Sequence, residues 1–456
     1  MNVDRQTHVK HLLWRAGFGP TLRQWETLRH ADPRQVARDL IRQACSVQPL
    51  VVRAYTPGDF EDFRQMDEEA RKERLQQDRL TLRNLNVAWI RQMARSEAQL
   101  REKMTLFWHD HFACRLNRHP PTQAQNNTLR TYALGRFGDL LEAIARDAGM
   151  LRFLNNQQNH KDHPNENFAR ELLELFTLGR GHYSEQDIRE AARAFTGWSS
   201  DIAGNFVFRP RQHDYGTKTF LGHTGTWDGG DISRLLLETP RTAYFLTDKI
   251  YRYLVHPQPD PDIVAQWADA FYASGYDIAA LLETIFTSDH FYETRHLAAR
   301  IKSPVEYLVG MMRLLEMDLV EEEGILLIQR VLGQVLFQPP NVAGWPEGRA
   351  WIDSSSLMAR LRLPRALLAD AEIGLQPKAS FAGNEDGLPT RGDLARRLRS
   401  TIDWTALEAA FAGADTATLA AYLLQTPALR IDPAASGTDL RGRVLRLIAT
   451  PEFQLC

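Results

Sequence analysis

From about Asp59 to Phe112 the chain runs without a glycine or a proline, most of it as EDFRQMDEEARKERLQQDRLTLRNLNVAWIRQMARSEAQLREKMTLFWHDHF. A stretch of that length with no backbone breaker, dominated by Glu, Arg, Gln and Leu, is driven to helix, because these side chains lose little rotamer freedom there. Leu100, Met104, Phe107 and His111 recur at spacings of three and four, which places them on one inward face. The pattern predicts one very long helix, or two joined by a short break.

Helical signals continue on both sides. His8 to Ala16 is a short helix stopped by Gly17 and Gly19, and Thr21 to Gln24 has the spacing of a capping box. Residues 115–127, with Pro120 and Pro121, are expected to form a loop. A helix follows over 126–147, interrupted near Gly135 and Gly138. In PNENFARELLELFTLGRGHYSEQDIREAARAFTGW two helices are expected, one from Pro164-Asn165 to Gly179, the other from the acidic capping box Ser184–Asp187 to Gly197. Residues 199–230 turn Gly- and Thr-rich with short alternating runs, as in a hairpin or flap.

Helices resume over 231–333, and 337–353 is a Pro/Gly/Trp-rich loop. The fold class is therefore mainly α: a multi-helix domain over 1–370 with a β-hairpin flap near 199–230. A surface linker over 371–394 leads to a C-terminal helical segment, 395–456, that packs back on the core. Two segments, LLETIFTSDHF and VLRLIATPEF, echo each other as apolar helices ending in a Thr-centred turn and a Phe, which reads as recurrent capping chemistry.

At 456 residues the chain is too long for one simple core. A net charge of −2, with both signs interspersed, gives no electrostatic case for nucleic acid or an anionic membrane. Three cysteines without CxxC spacing argue against a disulfide framework or a zinc knuckle. No apolar run is long enough to span a bilayer, and the N-terminus lacks a signal-peptide core. The expected compartment is the cytoplasm, with a periplasmic destination through co-export as the alternative.

Four groups of residues carry candidate chemistry. On a helix at 100° per residue, Glu166, Arg170, Glu174, Asn167 and Glu171 fill one arc of about 140°, and Phe168, Leu172, Leu173, Leu175 and Phe176 cover the rest. Carboxylates held near one arginine can split into an acid and a base, or hold a divalent cation. The same arc is equally a solvated face laced by i,i+4 pairs. Asn155 to Asn159 precedes it as a carboxamide-dense turn that can bond a polar ligand or cap helix ends. Asn156, Asn159, Asn165, Asn167 and Trp198 are the candidate substrate contacts there.

His109 and His111 lie about 200° apart on a continuous helix and cannot then share one ion. If the helix ends there, they could converge with Asp110 as a metal site; otherwise they are core histidines. His213, Asp214 and Lys218 in the flap suit a mobile loop carrying a proton donor and a cation, or else a turn capped by Asp214. Asn341 and Trp345 in PPNVAGWP suit a sugar ring, or a rigid cover over a helix-bundle end.

Several segments, HLLWRAGFGPT, MTLFWHDHFA, PNENFARELLELFTLG, FTGW, HDYGTKTFLG, IKSPVEYLVG, PPNVAGWP and TPEFQ, together resemble a bacterial family catalogued as domain of unknown function number 1800. They are spread from residue 11 to residue 454. The resemblance implies a mostly helical protein whose gene often neighbours one for an exported, sulfatase-like protein of the alkaline-phosphatase superfamily. Many relatives carry an export signal, and this chain departs from them. Two functions stay open. One is a hydrolase using the Glu/His/Arg groups, with or without a divalent metal, on a polar glycan- or ester-like substrate. The other is a non-catalytic accessory or assembly partner of the sulfatase-like neighbour.

Overall fold

The computed structural model describes residues 5–54, 66–369, 371, 375, 396–426 and 439–456. The fold is mainly α, and its strands form small antiparallel pairs. The expected linker over 371–394 lies, but for Ala371 and Leu375, outside the described residues.

Residues 59–65 of the breaker-free region lie outside the described residues, and its described part holds two helices, Glu68–Arg95 and Gln99–His111, with a short break at Ser96–Ala98. Gln99 holds that break: its side-chain amide donates to the Met93 and Ser96 carbonyls at 2.8 and 2.7 Å. The capping boxes at Thr21–Gln24 and Ser184–Asp187 are both formed. The expected loop over 115–127 is instead largely helical, because His119–Tyr132 starts with Pro120 and Pro121 in its first turn. No intrahelical N–H is required at those positions, so two prolines open the helix rather than block it. Gly179 and Gly197 take left-handed conformations at φ +80° and +79° beyond the two helices they were expected to end.

The flap is two hairpins, Trp198–Ser200 with Phe206–Phe208 and Lys218–Phe220 with His223–Gly225. The echoed segments share one clamp. Ser288 Oγ donates to Ile285 O and accepts from Phe291 N, and Thr450 Oγ1 does the same between Leu447 and Phe453. The capping reading holds, with Ser288 rather than Thr287 supplying the first hydroxyl.

Burial divides the apolar residues into two cores. One gathers Val9, Leu12, Met104, Phe107, Trp108, Phe137, Phe176, Leu246 and Phe291. The other gathers Trp14, Phe18, Trp89, Leu106, Leu308, Ile328, Leu363 and Phe453. The Gln99–His111 helix feeds both, Phe107 to the first and Leu106 to the second. Where the cores meet, the helix carries buried polar groups. Lys103 bonds Glu306, and Arg300 Nη1 lies 3.4 Å from the same carboxylate. Lys302 donates to Phe453 O at 2.6 Å and lies 3.7 Å from the Trp14 ring centroid. On the other face of the same helix, Glu102 accepts two bonds from Arg130, at 3.0 and 3.1 Å, and one from Trp89 Nε1 at 2.9 Å. Ion pairs this deep are tolerated because every oxygen is bonded.

Candidate functional site

The glutamate arc faces solvent. Arg170 bonds Glu166 at 3.0 Å and grips Glu185 through two nitrogens at 3.0 and 2.9 Å. Glu174 accepts from Arg180 Nε at 2.5 Å and Tyr183 Oη at 2.9 Å, and Arg180 holds its pKa below the ordinary value. Glu171 goes the other way, raised by partial burial and by the charge of Glu174. The even angular spacing fails after Glu171, because Leu172–Thr177 widens into π-helix, with Leu178 N–H reaching Leu173 O at 2.8 Å. Ion pairs exposed to this degree are worth up to about 1 kcal/mol. Glu185→Gln is therefore expected to leave the urea unfolding midpoint close to that of wild type; a large fall in the midpoint would contradict this placement.

The carboxamides bond the chain itself. Asn156 Nδ2 donates to Phe195 O and Trp198 O, at 3.3 and 3.0 Å. Asn159 Nδ2 donates to Ala192 O at 2.8 Å, and its Oδ1 accepts Asn165 N at 2.8 Å. Asn165 Oδ1 in turn accepts Asn167 N at 3.0 Å. Trp198 is buried in the first core, edge-on to Phe195. In the flap, His213 Nδ1 lies 2.8 Å from Thr196 O and therefore carries the proton. Asp214 pairs with Arg193 rather than with His213, at 2.7 Å, and accepts Gly216 N at 2.7 Å. Burial would raise its pKa, but Arg193 and that N–H hold it below the ordinary value. Lys218, buried, donates to Asp214 O and Gly216 O at 2.5 and 3.1 Å. These residues fasten three chain segments to one another.

The Gln99–His111 helix runs through both histidines, so they do not converge. His109 Nε2 accepts Phe337 N–H at 3.1 Å between Trp89, Phe337 and Trp345, and burial drops its pKa to about 3. His111 Nε2 faces Phe176 O at 3.2 Å and therefore donates, beside Phe107 and Phe112. Opposite tautomers on opposite faces exclude a shared ion. Asn341 is exposed and turns its Oδ1 onto Ala343 N, at 2.8 Å.

Between the two histidines, Asp110 opens on a cavity of about 280 Å³ at the seam of the cores. Tyr253, Arg252, Arg300, Gln334, Glu347, Arg349 and Trp351 also line it. The loop 339–346 is pinned there, Trp345 N–H donating to Asp110 Oδ1 at 2.8 Å. Gly344 allows the approach: its φ is +88°, and a Cβ would run into the Asp110 carboxylate. Burial, and secondarily Glu347, outweigh the Trp345 N–H and Lys249, and lift the Asp110 pKa to about 7. Burial raises the Tyr253 hydroxyl and lowers Lys249. Arg300 stays protonated beside Glu306.

A larger groove of about 1150 Å³ lies between Thr21–Gln43 and Met312–Asp318. Two of its cations are held internally, Arg95 by Asp318 at 2.6 Å and Arg313 by Gly19 O and Ala94 O, both at 2.7 Å. Neither cavity is lined by the glutamate arc, His213 or Lys218.

The family segments thus sort into two sets. HLLWRAGFGPT, MTLFWHDHFA, IKSPVEYLVG, PPNVAGWP and TPEFQ meet around the seam, through Trp14, Lys103, Asp110, Lys302, Ser303, Pro346 and Phe453. The other segments, PNENFARELLELFTLG, FTGW and HDYGTKTFLG, tie one another together through Asn159, Gly197, Thr196 and Asp214. Sequence spacing missed Tyr253, Arg300, Glu347 and Arg349, and the one available signal was that Arg300 directly precedes IKSPVEYLVG and that Glu347 and Arg349 directly follow PPNVAGWP.

The fold and the cleft define a mainly helical protein with a compact acid- and arginine-lined cavity between two cores. The chain belongs to the family described as a protein of unknown function (DUF1800), whose match covers residues 11–455. No curated protein and no solved structure matches it. Among the described residues no helix is long and apolar enough to cross a membrane.

Proposed function

We propose that the chain is a hydrolase whose acid–base group is Asp110, acting on a small polar glycan- or ester-like substrate that carries or develops negative charge. The observation that supports this most is the Asp110 carboxyl itself: it is held near neutrality and faces a cavity that three arginines also line. A carboxyl with a pKa near 7 can give a proton to a leaving oxygen and take one from water in the same cycle. Glu347 supplies a second carboxylate at the rim. Arg300 and Arg349 are placed to bind an anionic group or a developing oxyanion, and Trp351 offers a wall for a ring.

The test is a panel of chromogenic glycosides and of carboxylate, sulfate and phosphate esters. It should find one class turned over by the wild type, with the activity falling in Asp110→Asn and Arg349→Ala. A substrate turned over equally by all three proteins would remove the reading.

A second reading keeps the accessory role toward a sulfatase-like partner, formed in the cytoplasm or carried out by co-export. It is favoured by the glutamate arc, which lies on the surface and lines neither cavity. Co-expression and pull-down with the neighbouring gene product decides it, and no complex removes it.

A further inference from the structure

Past the Ile278–Thr287 helix, the chain takes two short 3₁₀ turns, His290–Tyr292 and Thr294–His296. Glu293 joins the two turns in extended backbone, at φ −60° and ψ 142°, and the sequence there reads His290-x-x-Glu293-x-x-His296. One ligand atom from each lies within 4.8 Å of the others.

His296 is 1% exposed, and neither of its ring nitrogens has a hydrogen-bond partner among the described residues. A buried imidazole without any bond is costly, and here it is turned toward a second imidazole at 4.7 Å between ring centroids. His290 is already oriented: Nε2 lies 2.8 Å from Tyr251 Oη, which leaves Nδ1 facing Glu293 Oε1 at 3.1 Å. That is the outer-shell bond that fixes a ligating histidine.

We propose that His290, Glu293 and His296 bind one divalent transition ion, with zinc the best fit. Two imidazoles and one carboxylate match the three-ligand zinc set that leaves a fourth position open for water or substrate. The three residues share no lining with the Asp110 cavity, so this inference and the proposed function fail independently.

Two cations bear on the site. Arg15 Nη2 donates to the His296 carbonyl at 2.8 Å, holding the backbone. Arg295 donates to Glu293 Oε2 at 2.7 Å and to Asp260 Oδ2 at 3.3 Å, and lies 3.5 Å from His290 Nδ1. Its side chain is 54% exposed. It shares the Glu293 carboxylate and must move off His290 Nδ1 when an ion enters.

The experiment is titration of metal-free full-length protein with Zn²⁺ alone, by calorimetry and elemental analysis, and with Co²⁺ by visible absorption. One ion per chain is expected, with a four-coordinate Co²⁺ spectrum. Tyr251→Phe should weaken binding about 10–100-fold. Glu293→Gln, at an exposed position, should weaken it at least as much, and His296→Ala should abolish it. Arg295→Ala should bind as tightly as wild type or tighter. No stoichiometric Zn²⁺ uptake, or uptake unchanged in Glu293→Gln, overturns the proposal.

Discussion

Asp110→Asn is expected to lower turnover of the native substrate by about 10²–10⁴, the usual contribution of a positioned general acid–base group. The folded protein should meanwhile become more stable at alkaline pH. Asparagine keeps the Oδ1 that accepts Trp345 N–H, so the loop stays pinned and the loss reads as chemistry. The sign of the stability change follows from the raised carboxyl. Between its ordinary value of 3.8 and about 7, the folded state holds a proton that the unfolded state has released. Stability therefore falls as pH rises through that window, and the full penalty is present above about 7. Moving one carboxyl that far costs up to about 4 kcal/mol at about 1.4 kcal/mol per pH unit. Wild type and variant should thus melt together near pH 4, and the variant should melt higher at pH 8. Urea denaturation at the two pH values measures the difference. A group kept at the expense of stability is what a functional site looks like.

Glu306→Gln is expected to be the most destabilising single change at the seam, by about 3–5 kcal/mol, because it leaves buried cations without their anion. Burial pushes the Glu306 pKa upward, but Lys103 and Arg300 pull it further down, well below the ordinary 4.5. The stability it supplies is complete above that ordinary value and is lost as pH falls below it, the reverse of Asp110. The carboxylate also caps its own helix by accepting Ser303 N at 2.8 Å. The double variant Lys103→Met with Glu306→Leu should recover part of the loss, because the Lys103 charge leaves with its partner and only Arg300 is left without its anion. Thermal and urea unfolding of the three proteins measure it. A single variant within about 1 kcal/mol of wild type would show that the seam is wet.

Local chemistry was readable wherever one short segment contains all of it. Thr21 with Gln24 and Ser184 with Asp187 formed the capping boxes their spacing predicts, and the glycine-free run became two helices. Pro120 and Pro121 misled because proline marks both a loop and a helix's first turn, and spacing does not distinguish them. The π-helical stretch after Glu171 leaves no mark in an angular count that assumes α-helix throughout. Asp110 was legible as a residue, but its cleft was not. Its partners come from 252–253, from 300 and from the loop ending at Trp351, and only the packing of two cores brings them together. In the same way, His290, Glu293 and His296 share no face in an α reading and are brought together only by two 3₁₀ turns joined through an extended Glu293.

The claim that the rest depends on is that Asp110 is poised near neutrality in this cavity. Carboxyl ¹³C NMR of aspartate-labelled protein, with the Asp110 signal assigned by its absence in Asp110→Asn, reads that directly. The structure predicts a titration midpoint near 7. A midpoint near 4, where a solvated aspartate titrates, would contradict it.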